Sequence, residues 1–181
     1  MRRISLLLLC LAPWVAPLPG ATLERLSLDD LTLKSTDIVR AKAVASYADF
    51  RGSVIYTHWK LQVEERLKGN NQASMEVLIP GGTAAGFRQD VAGAPALVAG
   101  NEYLLFLWTS KSGATYLTGL SQGVFTLTKT KDGGLTVQRD AISETMLDRQ
   151  TWQAVKDQGI QMAYADMTAQ ISKDLAPGGN Q

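Results

Sequence analysis

The chain has 181 residues carrying 18 basic and 17 acidic side chains, one histidine and one cysteine, for a formal charge of +1. Such a balance offers no basic patch from which nucleic-acid binding draws its affinity, and no polybasic stretch for anionic lipid. The length suits a single hydrophobic core rather than two full domains.

The first 21 residues read as a cleavable export signal. Arg2 and Arg3 precede the apolar stretch from Ile4 to Val15, and Pro19-Gly20-Ala21 ends on the small residue that a signal peptidase needs. A membrane anchor fits poorly, because Pro13 and Pro17 interrupt a stretch shorter than the roughly 20 residues of a spanning helix. Lipidation at Cys10 fits poorly too, since Leu9 stands where a small residue belongs. Removal of the segment would lower the 18 basic residues to 16 against 17 acidic ones and take away the only cysteine. The mature domain, secreted or periplasmic, would then have no disulfide, no thiolate metal site and no cysteine nucleophile, and would depend on its core.

From Leu26 the segments follow in order. Ser27 caps a short helix predicted over Leu28 to Lys34, with Asp29 and Asp30 in its positive first turn. A strand begins at Asp37, with Val39, Ala41, Ala43 and Ala45 on one side and Arg40, Lys42 and Ser46 on the other. From Val54 to Lys68 the alternation is clearest: Ile55, Thr57, Trp59, Leu61, Val63 and Leu67 oppose Tyr56, His58, Lys60, Gln62, Glu64 and Arg66. Gly69-Asn70-Asn71 turns this strand into another carrying Met75, Val77 and Ile79, a hairpin with long arms suited to a coiled or barrel-like sheet. Pro80 to Gly100 is a long loop rich in Gly, Ala and Pro, with one short strand predicted near Arg88 to Val91.

Glu102 to Trp108 is apolar on both faces, as a strand covered on both sides requires. Ala114 to Leu120 and Val124 to Thr130 follow as strands, with a bulge or corner at Gln122-Gly123, and Lys131-Asp132-Gly133-Gly134 closes a hairpin onto Leu135 to Arg139. From Ser143 the apolar spacing turns helical, through Trp152, Val155, Ile160, Tyr164, Met167, Ile171 and Leu175, with Gly159 expected to kink or split the helix. Residues 177–181 read as a frayed tail. The segments together predict a mainly β domain over 22–140, an OB-like, netrin-like barrel or strongly coiled antiparallel sheet of five to seven strands, followed by a C-terminal helical segment over 141–176.

Groups able to carry catalysis are few. His58, the only histidine, lies on the polar face of its strand, and no Gly-x-Ser-x-Gly occurs to pair with it. Zinc wants several His or Cys ligands, and no Asp-rich loop offers calcium a recognisable spacing, so neither a metal nor a cofactor is expected. Asp29 and Asp30 are first-turn helix charges, and Glu64 and Glu65 point to opposite faces of one strand. Glu65 interrupts the apolar face between Val63 and Leu67, as a strand end reaching solvent would. Pro80-Gly81-Gly82-Thr83 lacks the Gly-Lys-Ser/Thr of a phosphate loop, but a loop of small residues admits a close approach by another backbone. Tyr47, Phe50 and Tyr56 flank one strand connection and Trp108 and Tyr116 another, either of which suits stacking or core capping. The binding residues predicted are Gly81, Gly82, Thr83, Tyr56 and Trp108, with no catalytic residue assigned.

The run Ser35 to Val44, then Val63-Glu64-Glu65-Arg66-Leu67-Lys68-Gly69, Pro80-Gly81-Gly82, Gly93-Ala94-Pro95, Glu102-Tyr103-Leu104-Leu105-Phe106-Leu107 and Gly119-Leu120-Ser121-Gln122-Gly123-Val124-Phe125 resembles a group of uncharacterised exported bacterial proteins over residues 27–130. In layout the chain is also similar to the netrin-like, OB-type barrel of tissue inhibitors of metalloproteinases. That resemblance implies a shared barrel without the inhibitory mechanism, which needs an N-terminal cysteine held by disulfides. The expected function is an exported, non-catalytic binding module for a protein partner such as a secreted protease. The alternatives are a secreted hydrolase using Glu64, Glu65, Asp90 or His58, and a structural envelope component. The oligomeric state is not set by the sequence.

Overall fold

The computed structural model describes residues 22–176; the predicted export segment and the tail lie outside them. A short β1 (Thr22–Glu24) leads into α1 (Leu28–Lys34). Ser27 and Asp30 cap that helix reciprocally: the Ser27 hydroxyl accepts from the Asp30 N–H, and the Asp30 carboxylate accepts from the Ser27 N–H. Two 15-residue strands follow, β2 (Asp37–Arg51) and β3 (Val54–Lys68), joined by Gly52-Ser53 and continued by β4 (Ser74–Pro80).

The predicted mainly β barrel forms. With β7 (Glu102–Thr109) and β8 (Thr115–Leu117), these three strands close a ring in the order β7, β2, β3, β4, β8 and back to β7. In chain order these are the fourth, first, second, third and fifth strands of the ring. Every pairing is antiparallel except that of β4 with β8, the third with the fifth. Closure removes sheet edges where it is complete. β9 (Val124–Lys129), β10 (Leu135–Arg139) and β13 (Ile160–Ala163) then extend the sheet outward from β7.

Two cores share β7. Tyr103, Leu105 and Leu107 point into the barrel with Val39, Ala41, Trp59, Leu61, Val77, Ile79 and Leu117. Leu104 and Phe106 point outward and pack with Phe125 and Val137 beneath Leu31 of α1 and Met167 and Ile171 of α2 (Tyr164–Leu175). A strand with apolar residues on both faces is therefore the shared wall of the two cores, as its sequence requires.

Register shifts between β2 and β3 revise part of the simple alternation. One lies between Ala43 and Ala45, where Val44 is the additional residue, so Ala45 is exposed instead of following Ala43 inward. Another lies opposite Glu64, so that Val63 packs on the barrel core whereas Glu65 and Leu67 lie toward the helices. Glu65 is thus displaced from the apolar interior rather than interrupting it. Its side chain is partly exposed, accepts a hydrogen bond from Tyr164 Oη at 2.9 Å and faces Arg40.

The long loop holds the hairpin β5 (Gly82–Ala84) and β6 (Phe87–Gln89), slightly before the strand predicted near Arg88 to Val91, and Leu97 beyond it enters the barrel core. The C-terminal segment differs most from expectation. Only Tyr164–Leu175 is helical; before it lie β11 (Thr145–Leu147), β12 (Ala154–Val155) and β13. Trp152 is 71% exposed, and Gly159, at φ +70°, turns the chain onto β10 with no room for a Cβ against Arg139 O. Ile160 and Met162 bury one side of a strand, then Tyr164, Met167, Ile171 and Leu175 continue as a helical stripe. Spacings of two then three to four merge into one apparent helical period in the sequence.

Candidate functional site

Strand register builds a row across the outside of the barrel. Tyr47 of β2 pairs with His58 of β3, His58 with Leu78 of β4, Leu78 with Tyr116 of β8, and Tyr116 with Trp108 of β7. Directly opposed residues share a face, so one transverse line carries four ring-bearing side chains and a central leucine. Tyr56, two residues from His58, stands on the same face.

The rings touch. Tyr116 meets Tyr56 edge-on at 5.9 Å between centroids and stacks on Trp108 at 5.9 Å and 30°. Leu78 is buried in the middle of the row, whereas Trp108 and Tyr47 remain about half exposed at 47% and 48%. Arg51, at the end of β2, donates from Nη1 to Tyr116 Oη at 3.1 Å.

At the other end of the row Tyr47 stacks on His58 at 4.5 Å and 16°, and both reach Glu76. Tyr47 Oη donates to Glu76 Oε2 at 3.2 Å, and His58 Nδ1 lies 2.8 Å from Oε1. A carboxylate only accepts, so Nδ1 carries the hydrogen by assignment. Partial desolvation and then the Glu76 charge raise the Tyr47 phenol above its ordinary value. His58 Nε2 is buried and meets no hydrogen-bond partner among the described residues, so no hydroxyl is positioned there for activation.

The five predicted binding residues divide into two groups. Tyr56 and Trp108 flank Tyr116 in the outer face. Gly81, Gly82 and Thr83 form the corner at which the chain turns from β4 into β5. Gly81 donates to Ile55 O at 2.7 Å, and its carbonyl accepts from Thr57 Oγ1 at 2.8 Å. A Cβ on Gly82 would lie 2.5 Å from Thr57 Oγ1 at φ +132°, so the glycine serves close packing, while Thr83 is exposed. Beside this corner a mouth of about 300 Å³ opens, lined by Thr57, Trp59, Gln89 and Leu97 among others. A wider polar cleft of about 590 Å³ lies on the other side of the loop, between Gly93–Ala96, Thr126, Thr128 and the segment from Gln138 to Glu144.

The residues considered for hydrolysis lie as follows. Glu65 holds Tyr164, Asp90 pairs with Arg88 on the surface, Glu64 is exposed, and His58 is joined to Glu76. Burial and the Glu65 carboxylate together push the Tyr164 phenol well up.

The sequence placed the aromatics in two separate groups, Tyr47, Phe50 and Tyr56 at one strand connection and Trp108 and Tyr116 at another, and gave no sign of Arg51 or Glu76. Parity along β3 puts His58 and Tyr56 on one face, but the pairing of β8 with both β4 and β7, which seats Tyr116 between Tyr56 and Trp108, leaves no local signal. Among the described residues no helix is long and apolar enough to cross a membrane. No protein-family model and no curated protein matches this chain, so the site stands on its own geometry.

Proposed function

We propose that the chain is an exported, non-catalytic binding module that holds a secreted protein partner, a protease being one such partner, on the aromatic outer face of its barrel. The observation that carries the proposal is the row Tyr47, His58, Leu78, Tyr116, Trp108, with Tyr56 and Arg51 beside it. Rigid aromatics with an arginine are the composition of protein-binding hot spots: they bury much area with little rotamer entropy. His58 and Leu78 lie on the face of the second and third ring strands, the face on which OB-type barrels take extended ligands such as oligonucleotides and oligosaccharides. Asp49, Arg51, Lys60 and Glu76 balance in charge, which disfavours a polyphosphate ligand. The apolar opening behind Arg2 and Arg3 supports export.

The test is affinity capture of partners from the organism's own culture medium and periplasmic extract with the intact protein, compared with Trp108→Ala and Tyr116→Ala. The expected result is a partner retained by the parent and lost from both variants while their circular dichroism is unchanged. A partner retained equally by both folded variants places binding elsewhere and overturns the proposal. Turnover of a glycoside, ester or peptide panel that is abolished by His58→Ala or Glu65→Gln would establish the hydrolase instead.

A further inference from the structure

β2 is paired on both sides only at its start. It meets β7 from Asp37 to Lys42, and Ala43 is then tied by its N–H to Asn101 O and by its carbonyl to Gly100 N–H. From Ala45 to Arg51 the strand has β3 on one side and no strand on the other among the described residues.

The parity of that half-open ladder follows from the turn. A two-residue hairpin closes on a hydrogen-bonded pair, here Arg51 and Val54, so Asp49 and Tyr47 also direct their backbone groups to β3. Ser46, Ala48 and Phe50 therefore direct theirs outward. Of these outward groups the Phe50 N–H is engaged, donating to the Oδ1 of the preceding Asp49 at 2.7 Å.

We propose that this edge is a homodimer interface, in which Ala45–Arg51 of two copies pair antiparallel into one continuous sheet. No lysine or proline lies from Ala43 to Val54; the guards this edge does carry are the bulge at Val44 and the charges of Asp49 and Arg51, which leave Ala45 to Ala48 open. Half of the large apolar side chains exposed among the described residues lie along it or beside it: Val44, Tyr47, Phe50 and Phe87, the last meeting Phe50 edge-on at 6.2 Å. Only a second copy is bound to bring the same unpaired row and the same apolar flank, and a two-fold axis uses each of them twice.

The register is also determined. Outward residues must face outward residues, and centring the axis on Asp49 would oppose two aspartates. Centring it on Tyr47 would bring Arg51 against Ala43, whose backbone groups are already engaged. Centring it on Ala48 opposes Ser46 to Phe50, Tyr47 to Asp49 and Ala45 to Arg51, with no like charges facing; the Phe50 N–H then exchanges the Asp49 carboxylate for the facing strand. The interface shares Tyr47 and Arg51 with the aromatic row but rests on the unpaired backbone of β2, not on the row as a ligand site.

Sedimentation of the purified chain over a range of concentrations should show its mass rising toward twice that of a monomer. Ser46→Pro and Ala48→Pro each remove an outward N–H without touching the β3 ladder, and should hold the protein monomeric. In a Cys10→Ser background, mild oxidation should link Ala48→Cys into a covalent dimer across the axis, and should leave Lys129→Cys, exposed on β9, unlinked. The cysteine variants decide the matter if proline disturbs folding. A monomer at every concentration, a dimer that persists in both folded proline variants, or linking at Lys129→Cys equal to that at Ala48→Cys overturns the interface. A monomer that instead captures a strand of a different protein at this edge overturns the second copy as its occupant.

Discussion

Arg139 and Asp157 form a two-pronged ion pair, Nη1 to Oδ2 at 2.6 Å and Nη2 to Oδ1 at 3.0 Å, with side chains only 9% and 6% exposed. Asp157 Oδ2 also accepts the Ile142 N–H at 2.9 Å, so one carboxylate ties the end of β10 to the chain on either side of β11 and β12. Replacement by alanine leaves a buried guanidinium without its partner. Asp157→Ala is expected to cost about 3–5 kcal/mol in urea unfolding, far more than loss of the exposed Arg88–Asp90 pair.

The same carboxylate makes the fold acid-sensitive. Burial alone would raise its pKa, but the hydrogen bonds from Arg139 and Ile142 outweigh this and hold it below the ordinary carboxylate range. A group depressed in the folded state contributes stability above its unfolded pKa, about 4, and loses that contribution as pH falls through the folded value. Thermal melting followed from pH 7 to pH 2 should drop below about pH 4, and Asp157→Asn should show a shallower drop from a lower starting point. Asp30 and Asp148 are depressed as well, so part of the drop should persist in the variant.

Gln122 anchors the N-terminal segment. It is buried, its Oε1 accepts the Leu26 N–H at 2.8 Å, and its Nε2 donates to Glu24 O at 2.9 Å. Gln122→Ala strands two backbone groups and is expected to cost about 2 kcal/mol or more. Amide exchange at Leu26 should accelerate beyond what this global loss explains.

Tyr164 begins α2 by bonding Glu65 across the sheet. Tyr164→Phe keeps the ring under Arg40 and loses only the hydroxyl bond, for about 1 kcal/mol in chemical unfolding. Glu65→Gln retains an acceptor and should cost less. A larger loss in the glutamine variant would mean that the carboxylate charge, acting on Arg40, is the main contribution.

In the aromatic row the cost of truncation should track what each ring covers. Trp108→Ala removes a half-exposed ring from a strand end and should change stability by less than about 1 kcal/mol. Tyr116→Ala uncovers Leu78 and removes two ring contacts and the acceptor for Arg51, so about 1–2 kcal/mol is expected. Differential scanning calorimetry of both variants checks the order.

Local alternation suffices to tell which residues are inside wherever periodicity is unbroken. Alternation in β3 and the doubly apolar β7 are local consequences of side-chain direction, and Ser27 with Asp30 marks the first helix through backbone groups only three residues apart. The rest follows from long-range pairing. The bulges that return Ala45 and Glu65 to the surface, the division of the C-terminal apolar series into strand and helix, and the buried Arg139–Asp157 pair all depend on partners distant in the chain. The aromatic row depends on them most: Tyr47, His58, Leu78, Tyr116 and Trp108 become neighbours only because five strands close a ring, and ring closure is a long-range pairing for which no stretch of sequence carries a period.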